Sequence, residues 1–289
     1  MQLNLRPRSG FSKLPPELID IVVDNFSEDK SSLLSCSLLG PLWTHASHRI
    51  LFRSLTLTGE KGTDEERIPL ALIRQRPRFL PYIHELRFIP TVVWRTLITV
   101  HPHTFRVLLS LCTGLRSLVI KALRLHGSPP DAAIAAMFES TRRITLDRLD
   151  LSTRDVPDRR GLYAIFDALE EVKELRIGVA CYNSTVLCAP DAPDLTGRYY
   201  LPVSSITLTG EDLGVCMMAV GRALDPHMLR STRLTNIGLR HLSYANEFLS
   251  ILPLSLDDLD ISFQAPRHAF VSRTRGQSKS YSYYVKPIR

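Results

Sequence analysis

Residues 172–177 read Val-Lys-Glu-Leu-Arg-Ile, an apolar residue, two polar ones, then apolar, polar, apolar. An apolar-x-apolar ending sends two side chains to one face of a β-strand and the intervening one to the other. The same cadence recurs as Ile83/Leu86/Phe88, Leu115/Leu118/Ile120, Val203/Ile206/Leu208, Leu234/Ile237/Leu239 and Leu256/Leu259/Ile261. Leu55 and Leu57 open the series, and Thr141/Ile144/Leu146 is a degenerate member. From Leu86 onward, successive central residues stand 32, 26, 31, 31, 31 and 22 positions apart. One such strand cannot bury its own apolar face, whereas strands stacked from successive units can. Between them lie stretches that suit helices, over 65–75, 99–111, 131–138, 163–169, 214–224 and 244–251. Asp131 is placed to cap the third, and Asp212 lies close to the start of the fifth. The spacing predicts an α/β chain in which helices form the outer side and a curved sheet faces a ligand.

The chain has 289 residues, of which 44% are hydrophobic and 22% charged, a balance that fits neither a disordered chain nor a membrane protein. No apolar run is long enough for a membrane-spanning helix, and the opening MQLNLRPRSGFSKLPPE lacks the apolar core of a signal peptide. The expectation is an intracellular protein, cytoplasmic and/or nuclear, with no membrane partner. Cys36, Cys112, Cys181, Cys188 and Cys216 are scattered and odd in number, which argues against a disulfide framework and a structural zinc site. The net charge of +7 is unevenly laid out. Residues 1–60 are balanced, 61–130 carry eleven basic against four acidic side chains, 131–260 carry thirteen against nineteen, and 261–289 carry six against none. The tail over 266–289 reads as a basic, weakly ordered extension or as an arm for nucleic acid or an acidic partner.

Chemistry-bearing motifs are missing. No HExxH, GxSxG, GxGxxG or GxxxxGK[ST] segment occurs, and His101 and His103 in HPH fall short of a metal site. The expectation is a non-enzyme with no cofactor and no metal. The lack of a glycine-rich strand-to-helix turn also disfavours a doubly wound α/β domain, the alternative architecture. Candidate target-binding residues are Trp94 in the Pro90–Arg95 loop, Tyr182, Tyr199 and Tyr200 in a proline-broken insertion over 178–202, and Asp258 and Asp260. Glu170, Glu171, Glu174 and Asp257 join the acidic set. Each group also has a plain reading, the aromatics as cover over an edge and the carboxylates as solvation of an open face.

The N-terminal part differs in kind. Leu14-Pro15-Pro16-Glu17 starts a helix over about 16–25, since proline suits the first turn and an acidic side chain suits its positive end. Asp29 and Ser31 are caps for a second helix holding Leu33, Leu34, Ser37 and Leu38, which Gly40-Pro41 stops. A third helix over 42–51 carries Leu42, Trp43, Ala46, Ile50 and Leu51. Together, LPPELIDIVV at 14–23 and SLLSCSLLGPLWTHASHRILFRSLTL at 32–57 resemble the F-box module, particularly the F-box-like form of mushroom-forming fungi. The resemblance implies docking on the small adaptor subunit of a cullin-RING ubiquitin ligase through Leu14, Pro15, Leu18, Ile21, Cys36, Ser37, Leu38 and Trp43. Gly40-Pro41 departs from the family, which usually has a small or basic polar residue there. The later repeat lengths are similar to those of leucine-rich repeats.

The expected organisation is therefore an N-terminal extension over 1–12, a three-helix F-box-like module over 13–57, an irregular leucine-rich-repeat solenoid over 58–265 and a basic tail over 266–289. The implied function is a substrate-recognition subunit holding an unknown target protein. The alternative is an adaptor-independent repeat scaffold, nucleic-acid-associated through its basic segments.

Overall fold

The computed structural model describes residues 14–59, 67–75, 77–90, 98–121, 123–125, 132–153, 159–179, 200–210, 214–238, 242–253, 255–264 and 280–285. Three short helices come first, α1 (Pro16–Asp24), α2 (Lys30–Cys36) and α3 (Pro41–Leu51). Proline opens α1 and α3 in the first turn. Asp29 caps α2, accepting hydrogen bonds from the backbone of Ser31 and Ser32 at 3.0 and 3.1 Å and from the Ser32 hydroxyl at 2.6 Å. The Ser32 hydroxyl, followed by its backbone N–H, holds the Asp29 carboxyl below the ordinary carboxylate range. Ile19, Val23, Leu33, Cys36, Trp43 and Ala46 form an apolar core of their own, to which Leu14, Phe26, Ile50 and Leu51 are packed. Arg49 ties α3 to α1 through Asp24 at 2.9 Å and Asp20 at 3.4 Å.

The rest alternates strand and helix: β1 (Ser54–Gly59), α4 (Arg67–Gln75), β2 (Glu85–Pro90), β3 (Ile98–Val100), α5 (Pro102–Leu111), β4 (Ser117–Ile120), β5 (Leu123–Leu125), α6 (Ala132–Glu139), β6 (Ile144–Thr153), α7 (Arg159–Asp167), β7 (Leu169–Val179), β8 (Leu201–Gly210), α8 (Gly214–Ala223), β9 (Leu224–Asp225), β10 (Ser231–Ile237), α9 (Leu242–Ser250), β11 (Asp258–Gln264) and β12 (Ser280–Val285). The main sheet runs β1-β2-β4-β6-β7-β8-β10-β11-β12 in chain order. Every pair along it is parallel except the last, where β12 lies antiparallel on β11. β3 pairs with β5 in a small second sheet, and β9 extends beside the start of β8. Residues 280–285 of the basic tail are thus a strand, which corrects the expectation of a weakly ordered terminus for that stretch.

One row of side chains sets the register. Leu55, Leu86, Leu118, Leu149, Leu175, Ile206, Thr232 and Leu259 are partners across successive strands. Two of the repeats expected from sequence are therefore shifted. The strand β6 presents Leu146/Leu149/Leu151 in place of Thr141/Ile144/Leu146, and β10 with the residues before it presents Leu229/Thr232/Leu234 in place of Leu234/Ile237/Leu239. In both, an apolar residue five positions away imitates the centre of the motif, and in the second a threonine sits at the true centre. Leu239, Asp131 and Asp212 lie outside the described residues.

The buried rows join Phe105 and Leu108 of α5, Ile165 and Phe166 of α7, Val220 of α8 and Phe248 of α9 in one core. Burial of these side chains, each stabilising by roughly 1.5–3 kcal/mol, is what holds strand and helix layers together. The alternate residues of the strands stay partly or fully exposed, so the sheet keeps one open face. The helical module packs through aromatic contacts on the short helical segment Pro77–Tyr82 that leads into β2. His48 meets Phe52 and Phe79 edge-on at 5.2 and 5.1 Å, and His45 Nδ1 hydrogen-bonds with the Tyr82 hydroxyl at 2.8 Å. No helix among the described residues is long and apolar enough to cross a membrane.

Candidate functional site

Two surfaces carry unusual chemistry. The first belongs to the helical module. Leu18, Ile21 and Val22 of α1, Leu34 of α2, Leu38 and Leu39 after it, and Leu42 of α3 are exposed, with Ile21 at 59% and Leu38 at 86%. Seven large aliphatic side chains so open within one small module are more than a folded surface ordinarily scatters over so few residues. A helix as short as α1 needs one apolar face, which Ile19 and Val23 supply; Leu18, Ile21 and Val22 lie off it.

Of the residues implied for adaptor docking, Leu18, Ile21 and Leu38 lie on this surface, Pro15 is exposed, Ser37 is half-buried, and Leu14 packs on the module core. Cys36 and Trp43 do not belong to it. At 9% and 5% exposure they are core residues, because α1, α2 and α3 close around them, and their part is to position the helices. Sequence reasoning missed Val22, Leu34, Leu39 and Leu42. The signal was the excess of aliphatic residues over what one helix face accommodates.

The second surface is the open face of the sheet, a lattice of ion pairs. Arg87 holds both oxygens of Glu85 at 2.9 and 2.8 Å, and the Ser54 hydroxyl donates to the same carboxylate at 3.0 Å. Burial raises the Glu85 carboxyl, but the hydrogen bonds from Arg87 and Ser54 and the fields of Arg87 and Arg148 outweigh it and hold it below its ordinary range. Arg148 pairs with Asp150 at 3.3 Å, Arg176 with Glu174 at 2.7 Å, and Arg233 with Asp260 at 3.0 Å. Glu85, Arg148 and Glu174 fall in one row across the sheet, and Arg87, Asp150, Arg176, Arg233 and Asp260 in the next. The face is thus nearly self-neutral, unlike the acidic surface expected from Glu174, Asp258 and Asp260 alone.

Asp258 and Asp260 do lie on that face, half-buried at the β11 end. Glu171 is half-buried opposite Thr145, and Glu170 and Asp257 are exposed. Tyr200 is exposed just before β8. Trp94, Tyr182 and Tyr199 lie outside the described residues. His101 and His103 have ordinary work at the start of α5. His101 Nδ1 accepts the backbone N–H of His103 at 3.2 Å, and the His103 ring stacks on Phe138 at 3.9 Å. Among the described residues no group of three or more His, Cys, Asp or Glu is arranged to hold a metal ion.

Where β2, β4, β6 and β7 begin, an open pocket of about 530 Å³ is lined by His84, Thr113, Gly114, Leu115, Arg116, Thr145, Asp147 and Lys173. Lys173 Nζ donates to Asp147 Oδ1 at 2.7 Å. That hydrogen bond holds the Asp147 carboxyl down and the Lys173 ammonium up from their ordinary values. His84 is kept below its ordinary value by burial and then by the positive fields of Arg116, Arg53 and Arg49. The pocket is invisible in sequence because its members become neighbours only when the register is known. Compared with protein-family models, with curated proteins and with solved structures, the chain matches none.

Proposed function

We propose that the chain is a substrate-recognition subunit of a cullin-RING ubiquitin ligase. Its α1–α3 module acts as an F-box-like adaptor-docking element, and the strand–helix region acts as an irregular leucine-rich-repeat solenoid that holds a target protein. The observation that carries this reading is the solvent-open aliphatic surface of Leu18, Ile21, Leu34, Leu38, Leu39 and Leu42 on a module that already has a complete core. Those side chains leave between 47% and 86% of their surface in water where they stand, and burial of that surface against an apolar partner stabilises a complex by roughly 25 cal/mol per Å² before the costs of association. The order of elements in 14–57 supports the identity of the partner through its likeness to the F-box. On this reading the chain holds no acid, base or nucleophile. It accelerates ubiquitin transfer by proximity, keeping the target beside the charged enzyme that the ligase recruits.

Pull-down of the purified adaptor by the full chain tests the reading. Wild type retains the adaptor. Leu38→Asp and Ile21→Asp lose it by about 100-fold, ~2.7 kcal/mol, with unchanged circular dichroism. Retention by both folded variants removes the assigned surface. Strong, salt-sensitive binding of nucleic acid with no adaptor retention would transfer the chain to the adaptor-independent scaffold class.

A further inference from the structure

A stack of strands has two ends, and at its β11–β12 end this sheet differs from its interior. Within the stack the central inward residues Leu86, Leu118, Leu149, Leu175 and Ile206 are fully buried. In β11 the residue of that row, Leu259, is only half-buried, and so are Ile261 and Phe263, the next two inward residues of the strand. The helix before it fits the same picture, with Leu249 and Leu252 half-buried and Ile251 exposed. Among the described residues no helix follows β11 to cover this side. A unit at the end of such a stack needs a polar cap, and here leucine, isoleucine and phenylalanine are left half open instead.

The strand β12 extends the sheet without closing this end. It pairs with β11 along its whole length, from Ser280 opposite Gln264 to Val285 opposite Leu259, with no bulge. Residues 281, 283 and 285 therefore share the inward face with Phe263, Ile261 and Leu259, and residues 280, 282 and 284 share the open face with Ser262 and Asp260. No described strand lies on its other side, so its outward N–H and C=O groups have no strand to pair with. Edge strands are ordinarily blunted by a charge, a proline, a bulge or shortness. The stretch SYSYYV holds no charge and no proline, keeps a constant register, and at 6 residues has the length of an ordinary strand.

We propose that this end joins a second copy of the chain, with β12 pairing antiparallel to β12 of the copy about a two-fold axis perpendicular to the sheet. Such an axis keeps the faces in place. Inward residues of one copy meet inward residues of the other, so the half-open ends of the two cores come together in the same contact that pairs the two edges. One occupant thereby meets both needs. An extended peptide would complete the edge and leave the end of the core in water, and a helix would cover the core and leave the edge unpaired. On the open face the axis brings Ser282 near its own counterpart, and on the inward face it sets the tyrosines of the two strands side by side. The contact is isologous and consumes the edge it uses, so association stops at two copies. The helical modules, which pack on the segment leading into β2, stand at the two far ends. Both open faces then lie on one side, which raises the avidity for a partner that carries its binding motif twice. Pairing through β12 leaves the exposed aliphatic surface of α1–α3 free and does not depend on what docks there.

Sedimentation equilibrium of the full chain tests the pairing. Wild type gives the mass of two chains at high micromolar concentration, dissociates on dilution and forms nothing larger. Ser282→Lys sets two like charges near the axis and weakens the dimer at least about tenfold, and Ser282→Glu does the same. Mixed in equal amounts, the two variants recover the wild-type mass, because opposite charges then meet across the axis. Leu38→Asp leaves the dimer as it is. A wild type that stays monomeric at every concentration overturns the proposal. So do species that keep growing with concentration, the sign of head-to-tail pairing of β12 with β1. A dimer that survives both Ser282 variants, or one that Leu38→Asp abolishes, places the contact elsewhere and overturns it as well, and a mixture of the two Ser282 variants that stays monomeric rules out the two-fold arrangement.

Discussion

Thr232 occupies the place where every neighbouring strand has leucine or isoleucine, is fully buried, and has no hydrogen-bond partner for its Oγ1 among the described residues. A buried hydroxyl without a partner costs about 1–3 kcal/mol, and valine has nearly the same shape without it. Thr232→Val is therefore expected to raise the urea midpoint, by roughly 1 kcal/mol of unfolding free energy. No change, or a fall, would mean that the hydroxyl has a partner after all. The same residue explains why the spacing misplaces this repeat. The pattern centres it on Ile237, which is also buried, because a polar residue at the true centre breaks the cadence. Trp43 gives the opposite lesson. Its place in the third helix is legible, but its burial under α1 and α2 is a matter of packing, which spacing alone does not specify. Trp43→Ala is expected to destabilise the module by about 3–5 kcal/mol, measured by equilibrium unfolding, and to weaken adaptor binding only through that loss.

At the scale of elements, the N-terminal helices are legible nearly to their ends because their boundaries carry local chemistry. Pro16 and Asp29 are start signals that need no tertiary context, and Pro41, read with Gly40 as the stop of the second helix, is itself the first residue of the third. The stretch 99–111 is less faithful, since Ile98–Val100 pairs with β5 and the helix waits for Pro102. Pairing with a distant strand overrides local preference, and nothing near residue 98 announces it. Packing between elements supplies a second prediction. A Cβ on Gly221 of α8 would displace the Cδ1 tip of Ile251, just past α9, and would stand 3.1 Å from the buried Phe248 ring, so α8 and α9 approach closely at this glycine and Phe248 has to give way. Gly221→Ala is expected to cost about 1–3 kcal/mol in unfolding experiments despite the better helix propensity of alanine. A gain in stability would show that α9 moves aside freely.

The joint between module and sheet sets a pH dependence for the molecule as a whole. Burial, followed by the charge of His45, keeps His48 below the ordinary value of 6.5, and burial with Arg116, Arg53 and Arg49 does the same for His84. As pH falls through 6.5, the unfolded chain takes up protons that the folded chain still refuses, so stability declines toward the lowered folded values. Thermal unfolding at about pH 7.5 and about pH 5.5, either side of the ordinary histidine value, is expected to give a lower midpoint at the acid value, with a smaller difference in His48→Gln. An equal difference in both proteins would place the proton uptake elsewhere. The strand–helix alternation and the separate helical start are legible because each unit repeats its own pattern. The ion-pair lattice and the rim pocket are not, because they arise between units and depend on a register that two imperfect repeats conceal.

The most direct measurement of the central claim is calorimetric titration of the purified adaptor into the full chain at two temperatures and two salt concentrations. The account predicts one-to-one binding with a negative heat-capacity change and little salt dependence, as expected when an aliphatic surface is buried, and loss of the signal in Leu38→Asp. Absence of binding by the folded wild type would contradict it, as would binding that Leu38→Asp retains and salt removes.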